Sequence, residues 1–442
     1  MLPYATVPRR SWSARFARRQ RLKGSLWFVP LLCAIAGPLL AQVVLELDSA
    51  VDMPDAWSYS ESTASTVLAA IVSAMVGLTG FVVAFGVLVV QMATQALSPR
   101  FMRLWYRDGL QKAVLGLFVG TLTYSLALLR GVRPDSVPDN GVTSAALLVT
   151  LSVVLFLAYL DRFVHGMRPV AVAWAVAEAG ARVFHAGAAG GVDATPEGHP
   201  ALAVRTGTAG VIQAADRSGL VATAMRHDCL IVFPSAVGDL VAHGGVLLEV
   251  YGSGPLPDAD RLRGMVALGE ERTIEQDTAF AVRILVDIAI RALSPAVNDP
   301  TTAVQVLGAL EDLLLRIGES DLSGRGTLRD ENGIPRVVIA TRRWDDMLVL
   351  ALTEIREYGA TSTQVMRRMR ALLESLALRV RAENRPAVAE QLAALDDALG
   401  RLSDPARRAF ASRPDRQGIG GPSEAGDWSV AAEAGQVGHG ER

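Results

Sequence analysis

The residues that decide the fold run from Ser62 to Pro99: STASTVLAAIVSAMVGLTGFVVAFGVLVVQMATQALSP, 38 residues without a charge. The hydrocarbon core of a bilayer is about 30 Å thick, and about 20 apolar residues cross it as a helix. Backbone groups in lipid have no water to bond, so a spanning segment must satisfy them internally, as a helix does. The apolar centre of this stretch, 66–92, is therefore read as a membrane-spanning helix. At ~1.5 Å per residue the whole stretch would reach ~57 Å. That overshoots a bilayer, so the segment must tilt or project into the aqueous phase.

Working outward, three more uncharged runs qualify as spans, at about 26–44, 113–129 and 142–160. The first is read as a retained helix rather than a signal peptide. It has a basic start, but Ala36-Gly37-Pro38 is a poor cleavage site and the apolar run is too long. The flanks orient the spans. Arg9, Arg10, Arg15, Arg18, Arg19, Arg21 and Lys23 precede the first, in a basic N-terminus over 1–25. The loop after it carries Glu46, Asp48, Asp52, Asp55 and Glu61 and no basic residue. Arg100, Arg103, Arg107 and Lys112 follow the second span, and Arg162 and Arg168 follow the fourth. Basic flanks mark the cytoplasmic side, so both termini and everything beyond Asp161 are expected there.

Composition narrows the chemistry. The 442 residues are half apolar, 20 % charged, and carry a net charge of −2 with a mean hydropathy of +0.29. No global basic field recruits nucleic acid. Lys23 and Lys112 are the two lysines, and none follows Lys112. The remainder holds no Schiff-base lysine, no phosphate-loop lysine and no biotin or lipoate attachment site. Cys33 and Cys229 are too few for a disulfide framework. His227 and Cys229 lie two apart, but two ligands do not make a zinc site. No G-x-S-x-G is present. No catalytic residue, cofactor or metal ligand is expected, and the chain is not read as an enzyme.

Two groups of residues stand out as candidates. Ser73, Gly77, Gly80 and Ala84 place small side chains along the second span. Such spacing lets helix backbones approach closely. It serves either packing inside the four-helix bundle, which is the simpler reading, or a self-association face. Gln91 and Gln95, with Ser98, share a face at the cytoplasmic end, where they sit among headgroups or line a pore. Gly116 and Gly120 repeat the small-residue spacing on the third span. In the soluble half, Asp287, Arg291, Ser294, Asn298 and Asp299 form the densest polar group. Arg283, Asp287 and Arg291 are four apart, which reads as an ion-pair row. Asp299 followed by Pro300 reads as a helix N-cap. A structural corner is the plainer reading, and a functional site the sharper one.

The soluble half divides by pattern. A juxtamembrane helix and a Gly/Ala/Pro linker fill 161–199. Strand signals at Leu202–Thr206, Val211–Ala214, Leu230–Phe233 and Val246–Tyr251 define a small β module over 200–265, with a helix at Ser218–His227. The turns at Gly238-Asp239-Leu240-Val241 and Gly244-Gly245-Val246-Leu247 resemble the hammerhead turns of biotinyl/lipoyl-type barrels, without their carrier lysine. A helical region over 266–410 follows, interrupted by a polar loop at Ser320–Gly333 and an extended stretch at Val337–Ala340. Arg367, Arg368 and Arg370 read as a solvated face, and 411–442 as a disordered tail. The fold class expected is α+β: a four-helix transmembrane bundle, then a cytoplasmic domain with a barrel-like β module and helices.

Several motifs together resemble the bacterial predicted membrane proteins grouped as domain of unknown function 2254. They are Leu97-Ser98-Pro99-Arg100, Gly210-Val211-Ile212-Gln213, Gly269-Glu270-Glu271-Arg272-Thr273 with Gln276-Asp277, Ala292-Leu293-Ser294-Pro295 through Asn298-Asp299-Pro300, and Ile355-Arg356-Glu357-Tyr358-Gly359. The resemblance covers roughly 20–400. It implies a multi-pass protein of the bacterial inner membrane and supplies no catalytic residues. Function is therefore expected to be a homo-oligomeric, channel-like assembly in the lipid bilayer. The alternative is a membrane-anchored sensor or scaffold whose cytoplasmic domain binds a protein partner. A coupled transporter fits poorly, because no ionisable group lies mid-span.

Overall fold

The structure, a computed structural model, describes residues 11–48, 58–96, 109–134, 136–166, 168–187, 196, 198–320 and 322–421. The Leu97–Arg100 motif, the arginines of the second loop and most of the expected linker and tail lie outside them.

A short basic helix, α1 (Trp12–Gly24), precedes α2 (Phe28–Asp48), α3 (Glu61–Ala96), α4 (Gly109–Leu129) and α5 (Asp139–Gly166). Among the described residues, these last four are long and apolar enough to cross a membrane, over Phe28–Asp48, Glu61–Leu88, Gly109–Leu129 and Asp139–Arg162. Helix α4 is central and touches α2, α3 and α5. It buries Val114, Phe118, Tyr124 and Leu128.

The tightest crossing is α2 on α4, and missing side chains create it. A Cβ on Gly37 would lie 2.6 Å from the Gly120 carbonyl oxygen and 2.9 Å from the Tyr124 nitrogen. A Cβ on Gly116 would lie 3.0 Å from Cys33 Sγ. The Gly116/Gly120 pair is thus used up within the chain. At one end of the bundle Asp139 accepts from the Tyr59 N–H (2.8 Å) and Asp48 accepts from the Asn140 N–H (3.0 Å). At the other end the Lys112 ammonium donates to the Lys23 carbonyl and ties α4 to the end of α1.

Helix α3 accounts for its excess length by projecting. Its 36 residues span ~54 Å at ~1.5 Å each. Val90, beyond the span, packs against the core of the soluble part. The N-terminus of α1 meets the same part, with the Ser13 N–H donating to the Gly264 carbonyl (2.9 Å). Soluble part and α1 therefore share one end of the bundle.

After α6 (Pro169–Gly187) come β1 (Leu202–Arg205), β2 (Gly210–Ala215), α7 (Arg217–His227), β3 (Leu230–Phe233), β4 (Leu240–Val241), β5 (Val246–Tyr251), α8 (Ala259–Arg263) and β6 (Val266–Gly269). Helices α9 (Thr278–Ala292) and α10 (Pro300–Gly318) follow, then β7 (Ser323–Arg329), β8 (Pro335–Arg343), α11 (Trp344–Gly359), α12 (Thr363–Arg379), α13 (Arg385–Gly400) and α14 (Pro405–Ala411). The class is α+β.

The strands make two open sheets, ordered β1-β5-β3-β8-β7 and β4-β2-β6. The expected barrel does not close, because closure needs a ladder that returns to its first strand, and this one ends at β1 and β7. The reason is an intruder from far down the chain. Strand β8 lies parallel to β3, with Ile231 opposite Val337. Its run Val337-Val338-Ile339 is buried, as a central strand demands. The expected polar loop at Ser320–Gly333 is also corrected. It supplies β7, an antiparallel partner of β8, and turns at Asp330, whose carboxylate accepts from the Asn332 and Ile334 N–H groups (3.0 and 2.9 Å).

Helices α6, α9, α10, α11 and α12 enclose the largest core. Two expectations fail here. Arg367 is not solvated but fully buried. It donates to the carbonyls of Arg413, Gly420 and Gly421 (3.1, 3.0 and 2.9 Å) and lies 4.2 Å from the Phe410 ring centroid. Residues 412–421, expected in a disordered tail, are therefore ordered around that guanidinium. Arg368 and Arg370 pair with Glu311 and Asp396.

The α2–α4 crossing generates a test. Gly37→Ala should destabilise the detergent-solubilised protein by about 1–3 kcal/mol, the usual cost of overpacking. Gly77→Ala, with nothing within 4 Å of its added carbon, should not. Thermal unfolding of both variants reads the difference.

Candidate functional site

The α3 stripe points out of the bundle. Ser73, Gly77, Gly80 and Ala84 are all exposed, and a Cβ on Gly77 or Gly80 would meet nothing within 4 Å. The simpler expectation, packing within the bundle, is thereby corrected. The bundle's own close approaches are made by Gly37, Gly116 and Gly120. Ser73 satisfies its hydroxyl on the Ala69 carbonyl one turn earlier (3.0 Å), so the stripe is small and hydrogen-bond neutral. Gln91 is exposed and lines a cavity between α2, α3 and α4. Gln95 lies one turn further along the same helix.

The polar corner resolves into two structural devices. Asp287 accepts from Arg283 (2.7 Å), and Arg283 also forks onto Glu354 of α11, with Nη2 to Oε2 at 2.8 Å. The Glu354 hydrogen bonds, then those of Asp287, hold the Arg283 guanidinium above its ordinary pKa despite partial burial. The charge row thus bolts α9 to α11. Ser294 and Asp299 belong to the α9–α10 turn. Ser294 Oγ donates to the Arg291 carbonyl (2.7 Å), closing the end of the helix that carries Arg291. Asn298 takes the left-handed conformation, φ 47°. Asp299 caps α10 by accepting from the Thr302 N–H (3.0 Å), with Pro300 at the first helical position. The His227 ring bonds the Pro255 carbonyl (2.8 Å), and burial pushes the Cys229 thiol up. Among the described residues no group of three His, Cys, Asp or Glu side chains could hold a metal ion.

A further site was not singled out by residue type. Strands β2 and β6 pair antiparallel, which brings together Gly210–Gln213 and Gly269–Asp277. Gln276 mimics a strand neighbour. Its amide accepts from the Ala215 N–H (3.0 Å) and donates to the Ala215 carbonyl (3.1 Å). Gln213 donates to the Glu271 carbonyl (2.8 Å). Beside them Asp277 is 4 % exposed. Its Oδ1 caps α9 by accepting from the Phe280 N–H (3.1 Å), while Oδ2 is buried without a hydrogen bond. Gly238 leaves room for it, at φ 96°, where a Cβ would lie 2.9 Å from the carboxyl carbon. Burial pushes the Asp277 carboxyl up to about 6, against Arg272, the Phe280 N–H and Arg342. The sequence signal was an Asp directly before a helix. That marks a cap and says nothing of depth.

The sign of the linkage follows. Between its ordinary 3.8 and about 6 the folded protein holds a proton on Asp277 that the unfolded chain has lost, so this residue's contribution to stability falls as pH rises through that window. Asp277→Asn keeps the capping oxygen and removes the charge. It should be more stable than the native chain at pH 7.5, by up to about 3 kcal/mol at about 1.4 kcal/mol per pKa unit. The two should converge near pH 4. A difference in melting temperature that stays constant with pH would contradict the assignment.

These elements can be set beside known proteins. The family described as "Predicted membrane protein (DUF2254)" matches residues 23–375. An uncharacterized protein of Mycobacterium tuberculosis (strain ATCC 25618 / H37Rv) is 29 % identical over 423 residues, covering 89 % of this chain and 78 % of its own. One from Mycobacterium bovis is similar to the same extent. No solved structure matches. The four apolar helices and the motif-bearing sheet both fall within the matched range, and the chain belongs to the DUF2254 family of predicted membrane proteins.

Proposed function

We propose that this protein is a non-enzymatic, homo-oligomeric assembly of the bacterial plasma membrane, with protomers meeting along the outer face of α3. The observation that carries this reading is the open space over Gly77 and Gly80 on the exposed face of α3. Small residues in lipid are useful where a second backbone comes close, and a lone helix gains nothing from them. A ring of α3 helices would set Gln91 and Gln95 around the shared axis at the inner end of the span, which is the channel-like form of the proposal. The basic flanks put the soluble part on the cytoplasmic side. Absence of catalysis is supported by the structural employment of the polar groups. Arg283, Asp287 and Glu354 cross-link helices, and Asp299 caps one.

A second reading, a membrane-anchored sensor or scaffold, is favoured by one feature. Strand β4 is an edge strand, and its Leu240 is 73 % exposed. An apolar residue on an unpaired edge suits a partner strand.

The first reading is tested by reconstituting the protein in nanodiscs and measuring its mass by mass photometry. Multiples of the protomer mass are expected, and Gly77→Leu/Gly80→Leu should shift the distribution to monomer without lowering the melting temperature. Liposomes carrying the native chain should pass ions and those with the double variant should not. A native chain that is monomeric at all concentrations would refute the assembly.

A further inference from the structure

Between α2, α3 and α4 lies a cavity of about 470 Å³, within the range of about 300–1,000 Å³ usual for ligand sites. Its lining is mostly apolar: Pro30, Val82, Leu115 and Val119, with Val83 and Val87, each more than half exposed, on its open side. Its mouth is polar and aromatic. Gln111 lines it and is 3 % exposed, with an Oε1 that accepts no hydrogen bond among the described residues. A buried amide oxygen left so is costly, because it has given up its water without gaining a donor. Trp27, 67 % exposed, stands at the same mouth with Leu26 and Gln91.

The chain reaches this mouth directly from α1. That helix ends at Gly24, and the Lys112 ammonium, next to Gln111, holds the Lys23 carbonyl. Along one face of α1, Arg15, Arg18, Arg19, Leu22 and Lys23 line a second, open depression. The three arginine side chains are exposed and form no ion pair with a described acidic residue. Glu275 of the soluble part is the acid that faces Lys23, at 4.0 Å. The order along this path is cationic stripe, tryptophan, buried amide acceptor, apolar slot.

We propose that α1 and the α2–α3–α4 cavity form one binding site for an anionic phospholipid. The phosphate sits on Arg15, Arg18 and Arg19, a headgroup hydroxyl donates to Gln111 Oε1, and an acyl chain fills the slot down to Val119. Each part of the site matches one part of that molecule. An inorganic anion leaves the slot empty, a fatty acid leaves the arginine stripe largely unused, and a zwitterionic lipid carries an ammonium that the stripe repels. Basic residues beside the membrane are attracted to anionic headgroups. The slot supplies the specificity that such a patch lacks.

The test uses the full-length chain in mild detergent, with native mass spectrometry and thermal unfolding as readouts. The probes are dioleoyl phosphatidylglycerol, dioleoyl phosphatidylcholine, glycerol phosphate and oleate. Phosphatidylglycerol should remain bound and raise the melting temperature, with an affinity at least about tenfold above phosphatidylcholine. Glycerol phosphate and oleate should shift nothing. Arg15→Gln/Arg18→Gln/Arg19→Gln should bring phosphatidylglycerol down to the phosphatidylcholine level. Gly86→Leu, whose Cβ has 3.6 Å to Gln111 Nε2 and opens onto the cavity, should abolish retention of both lipids. Gln111→Leu, which preserves volume, should weaken phosphatidylglycerol alone. Equal affinity for the two lipids, a full shift with glycerol phosphate or oleate, or native retention in the arginine variant or in both cavity variants would each overturn the proposal. The comparison of probes on the native chain needs no variant to fold.

Discussion

A peptide group taken into hydrocarbon has no partner but another peptide group, and the architecture of this chain follows from that constraint. It forces helices on the four apolar segments, and it removes the hydrophobic drive that would press them together. What remains is close contact. The α2–α4 crossing exploits it: Gly37 lies over Gly120, and Gly116 under Cys33. Polar ties then close the two ends of the bundle, Asp48 and Asp139 at one, Lys112 at the other. With α4 fixed at the centre, the start of α2 and the end of α3 are placed together. Together they hold α1 and the soluble part at one end of the bundle.

In the soluble part, cohesion between distant elements rests heavily on arginine. Arg283 links α9 to α11, Arg336 spans Asp228 and Asp330, Arg342 holds Asp239, and Arg368 joins α12 to α10. The planar fork of the guanidinium suits two acceptors at once, which an ammonium does not. A chain nearly without lysine can therefore still fasten strand to strand and helix to helix. Arg367 extends this to neutral acceptors, binding three carbonyls and an aromatic face in place of a carboxylate.

Legibility in the sequence followed the range of the interactions. The four spans, strands β1, β2, β3 and β5, helix α7 and the Asp299 cap depend on local pattern and were readable to within a few residues. Strand β7 was not, because Ser323-Gly324-Arg325-Gly326-Thr327 shows no apolar alternation and becomes a strand only by pairing with β8. The open sheet was missed for a similar reason. Val337 meets Ile231 across 106 residues of chain, and no local rhythm reports that. Of the candidate residues, the α3 stripe was found by spacing, but its outward direction needed the positions of α2 and α4. Asp277 and Gln111 were passed over because depth of burial, which makes them chemically unusual, is set by elements remote in sequence. Arg367 was misjudged by its neighbours, which do face carboxylates.

The clasp on Arg367 has a consequence for anyone who edits this gene. Residues 413–421 are what shields that cation from an apolar interior, so a stop codon placed just after Ala411, where the last helix ends, would strand a bare positive charge in the core. Fusions appended beyond Gly421 leave the clasp whole. The sequence that the buried cation requires thus extends about ten residues further along than helix assignments alone would put it.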